Sequence, residues 1–599
     1  MRLPTVADSR RLTGPSLLLD RPGAILDVRL DGPARERAIA DWRAAARRLL
    51  DAVQWSGETL AVRPFAGGAS LALTAPVDAL YAATDLNEAA WEMATAELEG
   101  RAAESVAAVV ARLSSAIADE RNPALVALRE AARARDVTFL AGEELVSVGA
   151  GSGALVWPAG ALPDPAAVDW SHVHDVPVAL VTGSNGKTTV VRLLAAILAG
   201  QGLTVGHTST DGVSVGGVRL AEGDYSGPSG ARLLLRRPEI EAAVLETARG
   251  GLLRRGLGVD RAAVAVVTNV ADDHLGEFGI DSVQQLADVK LLPARAVRPG
   301  GAVVLNADDP LLRERAGSVG LPVVWFALAP SAPGLARHLA AGGRAAVCDG
   351  DRLELSDGTT RTPLARVDEV PMALGGAARH NVANALAAAA AAWVLGVPPD
   401  VIGRELRRFG LAAGDNEGRA NMIELGGVQL VVDYAHNPHG LAALAELMAA
   451  LPARRRLVLI GQAGDRSDDA IRALARAALG IRPDRVVLKE MERYLRGRRP
   501  GEIPDLMADE LIGLGLAPEA VSRPGGEMAA VRDALEWARP GDVLLLTVHQ
   551  DRPAVMELLE RLRGERWRAG EALPGAGAGE ALPGAGAEMS PREPGASSS

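Results

Sequence analysis

Apolar residues in this chain come in short unbroken runs more than in alternation. PVALVT (177–182), AAVLET (242–247) and AVAVVTN (263–269) are apolar at nearly every position. A strand that is apolar on both sides is buried on both sides, as in a parallel sheet covered by helices. The intervening stretches have helical period, so residues 171–415 read as an α/β unit around a parallel sheet. GAARHNVANALAAAAAAWVL (376–395) is a strong helix within it. The pattern repeats on a smaller scale over 416–563, where VQLVVDYA, RRLVLIGQ, DRVVLKE and DVLLLTV predict the strands of a second, Rossmann-like layer.

Residues 1–170 follow a different pattern and predict an α+β unit. SLLLD (16–20) and ILDVRL (25–30) read as strands, and helical periods run over Ala34–Val53 and Asn87–Ala118. No catalytic constellation stands out there. GAGSGALVWPAGALPDP (149–165) reads as a Gly/Pro linker closing the unit. At the other end, residues 564–599 carry GEALPGAGA twice and too few apolar side chains to fold, so disorder is expected.

Composition narrows the function classes. Aromatics make up 3% of the 599 residues, so the cores must be built from Leu, Val, Ala and Ile. A net charge of −11 without a long basic run disfavours nucleic acid as a partner. The single cysteine, Cys348, excludes an intramolecular disulfide and fits a reducing cytoplasm. MRLPTVADSRRL lacks the apolar core of a signal peptide, and no run is long and apolar enough for a membrane span.

Lysine is scarce: among 64 basic residues only Lys187, Lys290 and Lys489 are not arginine. A nucleotide-composition bias accounts for the scarcity, but not for where the three sit. A lysine is a compact point charge that can lose its proton and react as an amine, whereas arginine is a planar fork that stays charged. Lys187 lies in Gly183-Ser184-Asn185-Gly186-Lys187-Thr188-Thr189, between an apolar strand and a helical run. Backbone N–H groups of such a loop cradle phosphate, the lysine reaches the outer phosphates and the Thr188 hydroxyl suits magnesium. Glu246 ends a buried strand, where open α/β sheets bind ligands, and it suits the same cation. TNVADDH (268–274) follows a third such strand, placing His274 at that rim with Lys290 one helix-length behind. No role is evident for Lys489.

GSNGKTT, Glu246, NVADDHLG with Lys290, LNADDP (305–310), RHNVAN (379–384), Arg419 and DYAHNP (433–438) occur in that order. Together they resemble the Mur ligase superfamily, over about residues 175–560. Within it TSTDGVSVGG, GDYSGP, LETARGGLLRRGLG, DHLGEFGID and RYLRGRRPGE are similar to the Mur-like half of cyanophycin synthetases, and the first unit loosely resembles their N-terminal domain. Those synthetases carry an ATP-grasp domain between the two parts, for which the linker here leaves no room.

The resemblance implies a three-domain fold: 1–170, a P-loop ATP-binding domain 171–415, and a Rossmann-like domain 416–563. It implies an ATP-dependent amide ligase working through an acyl phosphate and releasing ADP. The amine would be an amino acid, arginine in the nearest pattern, and the acceptor a carboxylate such as an aspartate side chain of a peptide. A small carboxylate from a dedicated pathway is the alternative, and a non-catalytic nucleotide-binding partner of a full-length synthetase is another.

Two magnesium ions are implied, one held by Thr188 and Glu246 and a second with help from His274, with Lys290 carrying CO2 as a carbamate beside them. Asn381 and Asn384 match adenine-contacting positions; Arg419 and Asp433 match residues that close over ATP. Weaker substrate candidates are Thr210, Asp211, Arg249, His436 and Asn437. Arg249 either meets a substrate carboxylate or forms a structural salt bridge; His436 and Asn437 either bind substrate or build their turn. Relatives assemble as homo-oligomers, and a separate ATP-grasp or synthetase partner would supply the missing step.

Overall fold

The apolar runs become neighbours in one sheet. In the computed structural model, which describes residues 4–96, 98–412 and 414–574, the chain forms two units. The first gathers Met1–Ala420, Ala435–Leu451 and Arg476–Ile481; the second holds Asn421–Tyr434, Pro452–Ala475 and the chain from Arg482 onward.

The first unit opens with β1 (Thr5–Leu12), β2 (Gly23–Arg29), β3 (Leu60–Phe65) and β4 (Gly68–Thr74), an antiparallel sheet in the order β1-β2-β4-β3. Helices Pro33–Ala52 and Leu80–Thr95 cover it around Trp42, Leu71 and Leu86. SLLLD is not a strand. The Ser16 hydroxyl accepts from the Leu18 and Leu19 amides and turns the chain there, so a local hydroxyl bond defeats the apolar run. The period over Asn87–Ala118 is likewise two helices, the second starting at Val106 under a Ser105 cap. The expected linker is partly folded: β5 (Phe139–Ala141), β6 (Leu145–Val148) and β7 (Leu155–Pro158) form a small antiparallel sheet in which Trp157 packs on a local core.

The main sheet has eleven strands. Its parallel centre runs β9 (Val205–Ser209), β12 (Ala242–Glu246), β8 (Val178–Thr182), β13 (Ala262–Val267), β14 (Val297–Asn306), β15 (Val323–Ala327) and β16 (Arg344–Asp349). Antiparallel strands finish both edges: β10 (Gly212–Val215) and β11 (Val218–Glu222) on one side, β17 (Arg352–Ser356) and β18 (Arg361–Arg366) on the other. Successive residues feed two different cores. Ala179, Val181, Val244, Val264 and Val266 belong to the one containing helices Lys187–Ala199 and Arg379–Val394. Leu180, Leu245, Ala265 and Val267 belong to the one containing Arg249–Arg255 and Val283–Lys290. Both sides are covered, which is why the runs are unbroken. In the helix Arg379–Val394 every residue from Ala385 to Ala392 is buried, as expected of a helix apolar all round.

The second unit is a six-stranded sheet ordered β19-β20-β24-β21-β22-β23. Here β20 (Val428–Asp433), β24 (Val543–Thr547), β21 (Arg456–Ile460), β22 (Arg485–Lys489) and β23 (Val521–Gly525) are parallel, and β19 (Asn421–Leu425) is an antiparallel edge. Part of the expected disordered tail is ordered: Trp567 and Leu573 are buried in the core of this unit, large apolar anchors beyond the last helix, Arg552–Gly564. Residues 575–599, with the second copy of the repeat, lie outside the described residues.

Lys489 acquires a role here. Its side chain and that of Glu527 are both 0% exposed and form an ion pair. Lys489 Nζ also donates to the Thr547 carbonyl at 2.5 Å. The Glu527 carboxylate further accepts from the amides of His549, Gln550 and Asp551, so one buried acid organises the turn after β24. Lys489→Met would strand that carboxylate. A loss of about 3 kcal/mol or more in urea unfolding is expected, and an unchanged midpoint would show the pair to be dispensable.

Candidate active site

Strand register decides where the polar segments meet. Glu246 of β12 pairs with Val181 of β8, and Val267 of β13 pairs with Thr182. Three parallel strands therefore end level, with β12 and β13 on opposite sides of β8. A sheet whose connections diverge on either side of a strand leaves a crevice at its carboxyl end. The loop 183–186, Glu246 and the segment 268–274 all open onto it.

The glycine loop is stapled to its neighbour. Ser184 N donates to Asn269 O at 2.9 Å, Asn185 N to Asn269 Oδ1 at 2.9 Å, and Thr268 Oγ1 to Asn185 O at 2.6 Å. Asn306 of LNADDP steadies this segment through the Thr268 carbonyl, and Asp309 through the Val270 amide. Gly186 starts the helix in a left-handed conformation (φ 85°), and a Cβ there would lie 2.2 Å from Asn384 Oδ1. Lys187 Nζ curls back onto the carbonyls of Gly183 and Ser184, both at 3.1 Å. Thr189 is buried in the first turn.

Behind the loop lies Glu246, 2% exposed. Thr188 Oγ1 donates to its Oε2 at 2.8 Å, while Oε1 is buried without a hydrogen-bond partner. Burial raises this carboxyl above the ordinary value, against the pull of Lys187. Arg419 Nη2 reaches Thr188 Oγ1 at 3.2 Å, and Asp211 steers it from 3.6 Å while pairing with Arg192 at 2.8 Å.

A second cluster follows β13. Asp273, His274 and His436 bring their ligand atoms within 4.8 Å of one another. His274 adopts φ 58°, which costs a non-glycine residue about 1–2 kcal/mol, and its Nδ1 lies 3.2 Å from Glu277 Oε1. Burial opposes ionisation of Glu277, but its hydrogen bond to His274, reinforced by Arg249, takes its carboxyl down to about 2. Asp273 is also held low by His274 and His436 against burial. Lys290 ends the helix Val283–Lys290 at 2% exposure; burial first, then Lys187, lower its amine to about 7. Asp273 and Glu277 lie in the segments TNVADDH and DHLGEFGID, within three positions of His274, but neither draws a role from sequence alone.

The remaining candidates divide. Asn381 and Asn384 are buried on one helix face; Asn384 Nδ2 donates to Asn381 Oδ1 at 3.2 Å, and Asn381 Nδ2 to Met372 O at 2.9 Å. Asn437 caps the helix Pro438–Ala450 and exchanges amide bonds with Asn185 at 3.1 and 3.2 Å. Arg249 forms a salt bridge to Glu277 at 3.0 Å. Thr210 lies half-buried in the turn between β9 and β10. Asp433 belongs to the other unit, ending β20, where its carbonyl accepts from Val548 N at 2.8 Å. In that unit the basic run 493–499 is largely paired: Arg493 with Asp551, Arg498 with Asp468 and Glu502.

This arrangement has relatives. The Mur ligase middle domain matches residues 181–392, and the Mur ligase, glutamate ligase domain matches 418–548. UDP-N-acetylmuramate–L-alanine ligase of Xylella fastidiosa is 32% identical over 372 residues, 61% of this chain and 70% of that protein. The chain belongs to the Mur ligase family. Cyanophycin synthetase of Synechocystis sp. is 41% identical over 337 residues, 56% of this chain. That match takes in 38% of the synthetase, so the chain spans about two fifths of that relative's length. E. coli FolC in complex with DHPP and ADP aligns with a TM-score of 0.48 at 22% identity, over 65% of this chain and 89% of that one.

ATP and Mg2+ are typical of Mur ligases, and the residues present fit both. The unpartnered Glu246 Oε1 and the adjacent Thr188 hydroxyl offer a buried carboxylate and a neutral oxygen, a donor set suited to a hard divalent cation. Because a Cβ at 186 has no space beside Asn384, Gly186→Ala should distort the loop. Affinity for a fluorescent ATP analogue should fall at least about tenfold, with the thermal midpoint little changed; unaltered affinity would mean that the loop does not receive nucleotide.

Proposed function

We propose that this Mur ligase is an ATP-dependent, ADP-forming amide ligase that joins an amino acid to a carboxylate through an acyl phosphate. The observation carrying this reading is the buried Thr188–Glu246 pair, with one carboxylate oxygen unpartnered, at the foot of a glycine loop whose lysine lies beside it. In the reaction a carboxylate oxygen attacks the γ-phosphorus of ATP, breaking its bond to the β-phosphate oxygen and releasing ADP. The amine attacks the resulting carbonyl carbon, and phosphate leaves as the tetrahedral intermediate collapses. Two anions must approach in the first step, so cations and N–H dipoles lower its barrier. A bound Mg2+ would neutralise developing phosphate charge.

The chain's own groups divide the work. Amides of 184–188 and Lys187 Nζ orient the phosphates once Lys187 leaves the loop carbonyls. Thr188 and Glu246 hold the cation-binding oxygens in place, and Arg419, steered by Asp211, faces the same point. Asn384, packed against Gly186, ties the adenine-facing helix to the loop. Asp273, His274 and His436 offer a second cation position. By likeness to the cyanophycin synthetases, the amine is arginine and the acceptor an aspartate side chain. The deciding assay is phosphate release from ATP with β-aspartyl peptides as acceptors and each amino acid in turn. Release with arginine is expected. Turnover only on a small acid would reassign the acceptor, and nucleotide binding without turnover on any acceptor would overturn the ligase reading.

Lys290 is the residue for CO2. Its amine, at about 7 instead of the ordinary 10.5, is largely neutral above pH 7. The neutral nitrogen adds to the carbon of CO2 and loses a proton, turning a would-be cation into a carbamate anion. Below pH 7 protonation removes the lone pair, so carbamate and activity should both fall as pH drops from 8 to 6. A carbamate signal is expected by NMR with 13C-bicarbonate, absent in Lys290→Arg, together with loss of turnover partly restored by a small carboxylate. Full activity of Lys290→Arg would sink the assignment.

A further inference from the structure

The turn from His274 to Asp281 is held from outside the α/β core. Its backbone is left-handed at His274 (φ 58°), Gly276 (88°), Phe278 (53°) and Gly279 (65°). Its backbone closes on itself through Gly276 N to Ile280 O at 2.8 Å and Ile280 N to Glu277 O at 3.0 Å. Two non-glycine residues so close together keep this conformation only where their surroundings impose it.

Those surroundings are the N-terminal sheet. Arg63 of β3 donates from Nη1 to the Gly279 carbonyl and from Nη2 to the Phe278 carbonyl, both at 2.6 Å. Just beyond the strand, Ala66 N donates to Asp281 Oδ2 at 3.1 Å. Phe65 presses so close to Gly279 that a Cβ there would lie 2.3 Å from its Cδ1. Arg10 of β1 stacks over the Phe278 ring at 4.8 Å, itself anchored by Asp27 at 2.6 Å and by the Leu253 carbonyl at 3.0 Å. A guanidinium can span two successive carbonyls with parallel N–H bonds, which a lysine cannot.

The turn matters because of what it presents. Glu277 reaches His274 Nδ1 at 3.2 Å with one oxygen and accepts from Arg249 Nη1 at 3.0 Å with the other, and Arg249 Nη2 donates to the Glu277 carbonyl at 3.2 Å. If the carbonyls at 278 and 279 are released, Glu277 no longer fixes the imidazole ring of His274 against Asp273 and His436. The glycine loop is stapled separately, through Asn269 and Thr268.

We propose that Arg63 is a positioning residue for the ligase reaction and that the N-terminal sheet serves as the seat of the His274–Asp281 turn. The link to catalysis rests on the ligase reading above; the seating itself does not. Hydrogen exchange on the full chain separates the two. In Arg63→Met, amides of 274–281 should exchange at least about tenfold faster while those of 183–189 stay unchanged. Asp281→Ala, an exposed site where misfolding is not at issue, should move exchange the same way by less, and Arg63→Lys should fall between Arg63→Met and wild type. In turnover, kcat should drop about tenfold in Arg63→Met with KM for ATP within about twofold, because nucleotide binding does not pass through the turn.

Unchanged exchange in 274–281 for both Arg63→Met and Asp281→Ala would overturn the seating, as would acceleration spread evenly over both segments. Faster exchange with unchanged kcat would leave the seat without a catalytic role and so overturn the positioning claim. If wild-type protein turns over no amino acid, the ligase reading fails and exchange alone judges the seating.

Discussion

Everything functional in the first unit hangs on the level ending of β8, β12 and β13. With Glu246 opposite Val181 and Val267 opposite Thr182, the loop, the acid and the His274 segment leave the sheet at one height. Side-chain direction alternates along a strand, so a slip of one residue would exchange the two cores and turn Glu246 to the other face. The register resists that slip because both faces are buried: Val244 packs with the helix Lys187–Ala199, and Leu245 with the core on the other side. Packing on either side of the sheet thus places a carboxylate that contributes nothing to packing.

Burial then sets the charges. Glu246 is pushed toward its neutral form, and so is Lys290. Nearby, Glu277 and Asp273 are held ionised by histidine and arginine partners. The difference is one of company: Glu246 has a hydroxyl donor and an unpartnered oxygen, whereas Glu277 has an imidazole and a guanidinium. A carboxylate left short of partners in a low-dielectric site gains most from an arriving cation, because charge is least screened there. The two acids near the loop and the turn therefore suit different tasks, one to receive a cation and the other to orient a ring.

Much of this was legible in sequence because burial on both faces writes itself as unbroken apolar runs. All three runs of the main sheet and all four of the second unit became parallel strands, and the polar residues closing them came to the rim. What escaped detection depends on pairs far apart in the chain or on single local bonds. SLLLD became a turn through one hydroxyl, Ser16. The repeat-bearing tail begins ordered because Trp567 and Leu573 find a core whose strands reach back as far as Ile423. Glu277 carries no signal of its own in the sequence, because its partners Arg249 and His274 meet it only in the fold. The apparent lack of chemistry in residues 1–170 was a fair reading of their own side chains. Their contribution lies in what Arg63 holds on a loop more than two hundred residues away.

Lysine placement carries the same lesson in a sharper form. Lys489 lies where Gly461 leaves so little room that a Cβ would come within 2.6 Å of the lysine Cγ, and its ammonium meets Glu527 and the Thr547 carbonyl at once. A planar guanidinium is wider and cannot turn its donors independently. Lys187 folds onto two carbonyls of its own loop, again a task for a small cation on a flexible stem. Lys290 is buried with another lysine and an arginine among the charges acting on it, where a group able to lose its proton is tolerated and one that cannot is not. Arginine is this chain's ordinary cation; lysine survives at three places where shape or proton loss makes arginine unfit. Scarcity drew attention to these positions, but the reason for each lies in the space and charge around it.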